Sequence, residues 1–331
     1  MKEALYWNKL EDNKLQCLLC PKKCEIIENK TGFCGIRQNI SGTLYATQYG
    51  KSSGLQMDPV EKKPLYHFYP TQYILSVGSI GCNFRCQFCQ NWHLIEKKSA
   101  VQDITSLEIV NLAKENNSFG IAYTYNEPFI NFEFVLDTAK LAREKGLKNV
   151  LVTNGFYSPK AWNELMPYID ALNIDLKYIN KDRYKKISYG ELEPVQATIK
   201  SAHGNCHVEI TNLIVPTLND SKEDLEGLVN FIAGVSDEIP VHFSRYHPSY
   251  KCSLPPTPVE TMRLAYEIAS KKLKYIYIGN IVLPEGNNTY CPNCHNLIIG
   301  RTGYYVQISG LTKQDNTNKC SKCGNALNII S

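Results

Sequence analysis

The chain has 331 residues with a net charge of +4, too even a balance to mark a nucleic-acid-binding protein by charge alone. No run of 18 apolar residues occurs, so no membrane span is expected, and the opening MKEALYWNKLEDNK lacks the apolar centre of a signal peptide, so a cytoplasmic location is expected. Thirteen cysteines in such a compartment point to metal and away from disulfides. They fall into four between Cys17 and Cys34, three between Cys82 and Cys89, and four between Cys291 and Cys323, with Cys206 and Cys252 left over.

Residues 17–37 read CLLCPKKCEIIENKTGFCGIR, spaced C-x2-C-x3-C-x9-C. Four thiolates, on Cys17, Cys20, Cys24 and Cys34, close a tetrahedral zinc site or hold a second iron–sulfur cluster; the spacing does not choose between them, and zinc is the preferred reading. Short strands with glycine turns are expected next. DPVEKKPLYHF then carries Pro59 and Pro64, which bar a helix interior; its charges read as no more than a solvated loop.

Tyr73–Val77 is an apolar strand ended by Gly78 and Gly81, and GCNFRCQFCQNW follows it. Cys82, Cys86 and Cys89 in C-x3-C-x2-C can hold a cubane iron–sulfur cluster with one iron left open; the plainer alternatives are a structural zinc or three core thiols. Beyond it, strands are expected at 120–124, 149–153, 171–175, 207–211, 241–244 and 275–278. Helices are expected near 106–116, 130–145, from Ser158-Pro159, up to Ala202, over 221–233 and over 257–271. This alternation argues for parallel strands with helical crossovers. It gives an α/β chain with a partial (β/α)6 TIM-like barrel, six repeats and a seventh strand. Residues 291–323 break the rhythm: CPNC and CSKC, holding Cys291, Cys294, Cys320 and Cys323, read as a C-terminal zinc ribbon. The expected domains are 1–70, a cysteine-rich lead-in; 71–285, the partial barrel; and 286–331, the ribbon.

In parallel barrels, chemistry gathers at the carboxyl ends of strands. The polar motifs obey that rule: the cysteine loop, TYNEP (Asn126, Glu127), TNG (Thr153, Asn154), Asn173 with Asp175 and Lys177, and HFSRYH, where His242, Arg245, Tyr246 and His247 are candidate substrate contacts.

CLLCPKKC, GFCGIR, DPVEKKPLYHF, GCNFRCQFCQNW, TYNEP, VTNGF, NIDLK, HFSRYHPSYK and GNNTYCPNC together cover nearly the whole chain. In combination they resemble the radical S-adenosylmethionine (SAM) enzyme of the AmmeMemoRadiSam system, a relative of pyruvate formate-lyase activating enzymes. The resemblance implies a radical SAM barrel, a [4Fe-4S] cluster on Cys82, Cys86 and Cys89, and SAM chelating the open iron. It implies that Glu127, with Asn126 beside it, meets the SAM ammonium, where the activating enzymes use a Gly-Gly-Glu motif; the other reading of Glu127 is an N-capping acid. Lys177 would answer the carboxylate and Asn154 would orient the cofactor; the other reading of Asp175 and Lys177 is an exposed pair. Thr153, Asn173 and Asp175 fall where the activating enzymes bind a monovalent cation, although Val152 replaces an acidic ligand.

The expected function is reductive cleavage of SAM to methionine and a 5′-deoxyadenosyl radical that takes hydrogen from a small-molecule or protein substrate. An electron donor such as flavodoxin or ferredoxin, and AMMECR1-like and Memo-like proteins, are the implied partners. A glycyl-radical activase is the alternative enzyme. A non-catalytic cysteine-rich nucleic-acid-binding module is the third reading, against which the charge balance counts.

Overall fold

Residues 73–78 carry only one exposed side chain in YILSVG, and residues 120–123 carry none. Strands buried on both faces in this way belong to parallel sheets. In the computed structural model, which describes residues 1–96 and 98–331, Tyr73–Gly78, Gly120–Tyr123, Lys148–Thr153 and Ala171–Asp175 pair in parallel in that order. The register sets Tyr123 beside Val77 and Leu151, and Thr153 beside Ile174, so the strand ends come level.

The chain divides into two units. The first holds residues 1–58, 73–174 and 181–207. Its helices include Ser106–Glu115, Phe132–Glu144, Pro159–Leu165, Lys181–Ser188 and Leu192–Ala202. Ser106–Glu115 starts where Thr105 and Glu108 cap each other: Glu108 N–H donates to Thr105 Oγ1 at 3.2 Å and Thr105 N–H to Glu108 Oε2 at 2.7 Å. Asn149, an amide inside an apolar strand, is satisfied by Tyr123 Oη at 3.1 Å and by the carbonyls of Ala139 and Tyr168 at 2.9 and 3.0 Å, which ties strand to helix. The amino-terminal segment is built of short antiparallel strands, Trp7–Lys9, Leu15–Cys17 and Glu25–Ile26 in one sheet, Lys2–Glu3, Arg37–Ile40 and Thr43–Ala46 in another. A buried ion pair anchors it: Arg37 Nη2 lies 2.7 Å from Glu133 Oε2, each side chain 1% exposed.

The second unit holds residues 59–72, 175–180 and 208–331. His207–Ile214, Val241–Arg245 and Ile276–Gly279 pair in parallel, interleaved with the helices Lys222–Ala233 and Val259–Ser270. Thr289–Tyr290, Leu297–Thr302 and Tyr305–Ile308 form a small antiparallel sheet, and Leu311–Gln314 pairs with Thr317–Cys320. Ile298, Ile299, Leu327 and Ile329 pack with Cys291 and Cys320 in a core of their own.

The expected strands and helices are present with ends moved by a few residues. One difference is more than a boundary. The segment around DPVEKKPLYHF is not a solvated loop: Asp58, Glu61, Lys63 and His67 are each buried. Ser76 Oγ and Tyr125 Oη donate to Asp58 at 2.9 and 2.7 Å, and Thr71 N–H donates to Glu61 at 2.8 Å. Asp58 and Glu61 are each met by at least one donor, which offsets the cost of burying a charge.

Candidate metal centres and cofactor site

The cluster loop leaves its strand at Gly78 and is held by Asn126. The Asn126 Oδ1 accepts from Ser79 N–H at 3.0 Å, and its amide donates to the Gly81 carbonyl at 3.0 Å. Inside the loop Phe84 N–H points at Cys82 Sγ, 3.3 Å away, and Cys89 N–H closes a turn on the Cys86 carbonyl at 3.2 Å. Arg85 folds back onto the carbonyls of Cys82 and Phe84 at 2.6 and 2.7 Å and onto that of Phe33. Cys86 Sγ lies 3.4 Å from Ser188 Oγ. All three cysteines are partly buried residues. Burial pushes the Cys82 thiol well above its ordinary range, and the Glu127 carboxylate and the Cys86 and Cys89 sulfurs add to it. A cationic metal centre reverses that sign and brings the thiolate out.

Glu127 is 3% exposed and nearly surrounded by donors. Thr153 Oγ1 reaches its two oxygens at 2.8 and 2.9 Å, Asn154 N–H at 2.8 Å and Phe129 N–H at 3.0 Å. It does cap the short helical turn Pro128–Asn131, and it also fixes the end of the neighbouring strand. Asn154 in turn donates to Asn83 Oδ1 at 2.8 Å, and Asn83 donates to the Phe156 carbonyl at 3.1 Å. Thus Cys82, Cys86, Cys89, Asn126, Glu127, Thr153 and Asn154 come together in the first unit, and Asn173 is buried there as well. Asn83, Ser79 and Arg85 were missed by the sequence reading. Asn83 carried a usable signal, a polar side chain inside GCNFRC.

Asp175 and Lys177 belong to the second unit and pair with each other at 2.9 Å. Two of the four candidate substrate contacts there are buried. His242, on the amino-terminal side of its strand, is 4% exposed; its Nε2 is 2.6 Å from Glu209 Oε2, and its ring stacks on Tyr277. Glu209 also accepts from the N–H groups of Tyr66 and His67 at 3.0 and 2.7 Å, so this pair ties the lead-in segment to the strands. Tyr246 is fully buried and donates to the Cys252 carbonyl at 2.7 Å. Arg245 is half-buried and His247 exposed, and both remain accessible. The signal for the Glu209–His242 pair was a single acid inside the apolar strand HVEIT.

The Cys291, Cys294, Cys320 and Cys323 sulfurs all lie within 4.8 Å of one another, with Cys291 to Cys323 at 3.7 Å and Cys294 to Cys320 at 3.6 Å. A tetrahedral zinc with bonds of about 2.3 Å sets its sulfurs roughly 3.8 Å apart, so the group is spaced for one ion. The Asn325 N–H, the Asn293 amide and the partner thiols pull Cys323 down to about 6, the direction that prepares a thiolate ligand. Cys17, Cys20, Cys24 and Cys34 line one small pocket together with Lys22, Arg37 and Asn83. Burial raises the Cys17 thiol to about 11 and Cys20 further.

Residues 77–232 match the Radical SAM superfamily, whose members are enzymes, so this part of the chain is a radical SAM domain. The whole chain belongs to the family of the "Uncharacterized protein MJ0808" of Methanocaldococcus jannaschii, being 45% identical to it over 337 residues and all of both chains. The pyruvate formate-lyase-activating enzyme of Clostridium pasteurianum is 27% identical over 173 residues, 50% of this chain and 72% of that one. Among solved structures, Streptococcus suis SuiB bound to precursor peptide SuiA matches at a TM-score of 0.50 and 15% identity, covering 67% of this chain and 51% of that one, a likeness of fold alone.

Proposed function

We propose that the chain is a radical SAM enzyme acting on a small molecule or a partner protein. The observation that carries this is the cluster loop itself, three thiols on a loop pinned by Asn126 beside the buried Glu127. With a [4Fe-4S] cluster on Cys82, Cys86 and Cys89 and SAM at the open iron, the cofactors supply reductive cleavage to methionine and a 5′-deoxyadenosyl radical that takes a substrate hydrogen. The protein's own part is to hold and shield: Asn126 fixes the loop's entry, the Asn83–Asn154 amide contact fixes its middle, and Glu127 supplies charge for the SAM ammonium. Thirteen free thiols support a reducing, cytoplasmic setting. A donor such as flavodoxin or ferredoxin would supply the electron. The motif resemblance supports AMMECR1-like and Memo-like partners. Incubating the reconstituted protein anaerobically with SAM and dithionite should release 5′-deoxyadenosine; none above a protein-free control overturns the proposal.

A second reading, a glycyl-radical activase, is favoured by the likeness to the Clostridium pasteurianum enzyme. It requires a protein-borne glycyl radical, visible by EPR, formed in step with 5′-deoxyadenosine.

Glu127→Gln tests the ammonium contact. A hydrogen bond to a charged group contributes about 1.5–3 kcal/mol, so SAM affinity should fall by roughly tenfold or more. Iron–sulfur absorbance measured on the same sample should be unchanged. Normal affinity with a lowered melting temperature would leave Glu127 as a cap and strand tie only.

For the carboxyl-terminal quartet we infer a structural zinc. Metal analysis of Cys320→Ser/Cys323→Ser should show about one zinc fewer per chain than the wild type. Equal zinc in the two proteins would reject the assignment.

A further inference from the structure

The seven remaining clustered thiols can be compared with the carboxyl-terminal quartet. Among the described residues, that quartet is the group of three or more candidate ligand atoms that all lie within 4.8 Å of one another. Cys17, Cys20, Cys24 and Cys34 form no such group, yet all four line the same pocket. They are gathered around a space, and no three of their sulfurs all lie within 4.8 Å of one another. Cys82, Cys86 and Cys89 are an internal reference, because they too stand outside the 4.8 Å limit and lie in the radical SAM domain. A mononuclear tetrahedral site needs sulfurs roughly 3.8 Å apart. A cubane puts each thiolate on a different iron and holds the sulfurs farther apart.

The pocket is also part of the domain's working end. Asn83, next to Cys82, lines it. The Arg85 guanidinium lies 4.5 Å from the Phe33 ring centre, beside Cys34. Lys22 in its wall offers cationic charge to an anionic thiolate cluster, while Arg37 there is paired with Glu133. We propose that Cys17, Cys20, Cys24 and Cys34 hold a second, four-thiolate iron–sulfur cluster of the [4Fe-4S] class, coordinatively closed, alongside the cluster on Cys82, Cys86 and Cys89.

The test is metal content and Mössbauer spectroscopy of the full chain, reconstituted anaerobically with ferrous iron and sulfide. The wild type should bind about eight iron per chain, and SAM should shift the signal of about one iron in eight, the single open iron, since a closed cluster has no iron to offer. The variant Cys82→Ala/Cys86→Ala/Cys89→Ala should keep about four iron per chain, all insensitive to SAM. About four iron in the wild type, with about one in four responding to SAM, overturns the proposal. The wild-type spectrum decides even where a variant fails to fold. The reading of the cluster loop has its own failure: it falls if no iron responds to SAM, whatever the total.

Discussion

Single replacement of Cys82, Cys86 or Cys89 by alanine is expected to reduce 5′-deoxyadenosine formation from SAM to the protein-free background. The cause is ligand number. Three thiolates are what the loop offers a four-iron cluster, and two anchors do not retain it. The fold should survive, because none of the three side chains makes a buried apolar core. An unchanged circular dichroism spectrum and melting temperature serve as the control for correct folding. Wild-type turnover in all three variants would remove the cluster from this loop.

Glu133→Ala is expected to destabilise the protein by about 3–5 kcal/mol, the cost of leaving a buried charge without its partner. Arg37 Nη2 contacts both Glu133 oxygens at 2.9 and 2.7 Å, its Nε donates to the Ile130 carbonyl at 3.3 Å, and Leu5 N–H donates to Glu133 Oε1 at 2.7 Å. Losing the carboxylate therefore strands a guanidinium and a backbone donor together. Replacing both members, as Arg37→Met/Glu133→Leu, should cost less than Glu133→Ala, because no charge is then left inside. Urea unfolding of the three proteins measures this. A loss below about 1 kcal/mol for Glu133→Ala would mean that water reaches the pair, as it does in surface ion pairs.

Much of this was legible in the chain. Strands such as GIAY and NVLVT announce themselves because both faces are buried and the whole run is apolar. The cysteine groups were legible because thiolate spacing is set locally by turns. Long-range polar pairing was not. His242 looked like a barrel-mouth residue, since its partner Glu209 lies on a neighbouring strand and nothing in HFSRYH names it. The same holds for Asp58 and Glu61, whose donors come from Ser76, Tyr125 and Thr71. A charged residue reads as solvated until the group that receives it is found. Sulfur spacing across Cys17–Cys34 was likewise undecided by sequence, because x9 fixes no distance.

Gly81 and Gly146 show how differently two glycines with left-handed backbones constrain the history open to this chain. Gly81 has φ +87°, and a Cβ there would meet the Cys34 carbonyl oxygen at 2.6 Å. Gly146 has φ +77° with nothing within 4 Å of such an atom. At 146, drift through Asn or Asp is open, since those residues enter the left-handed region at modest cost. At 81 every side chain is closed off twice over, by the dihedral and by the neighbouring backbone. A lineage could leave glycine at 81 only by first moving the loop that carries Cys34, so the two thiol loops can change only together.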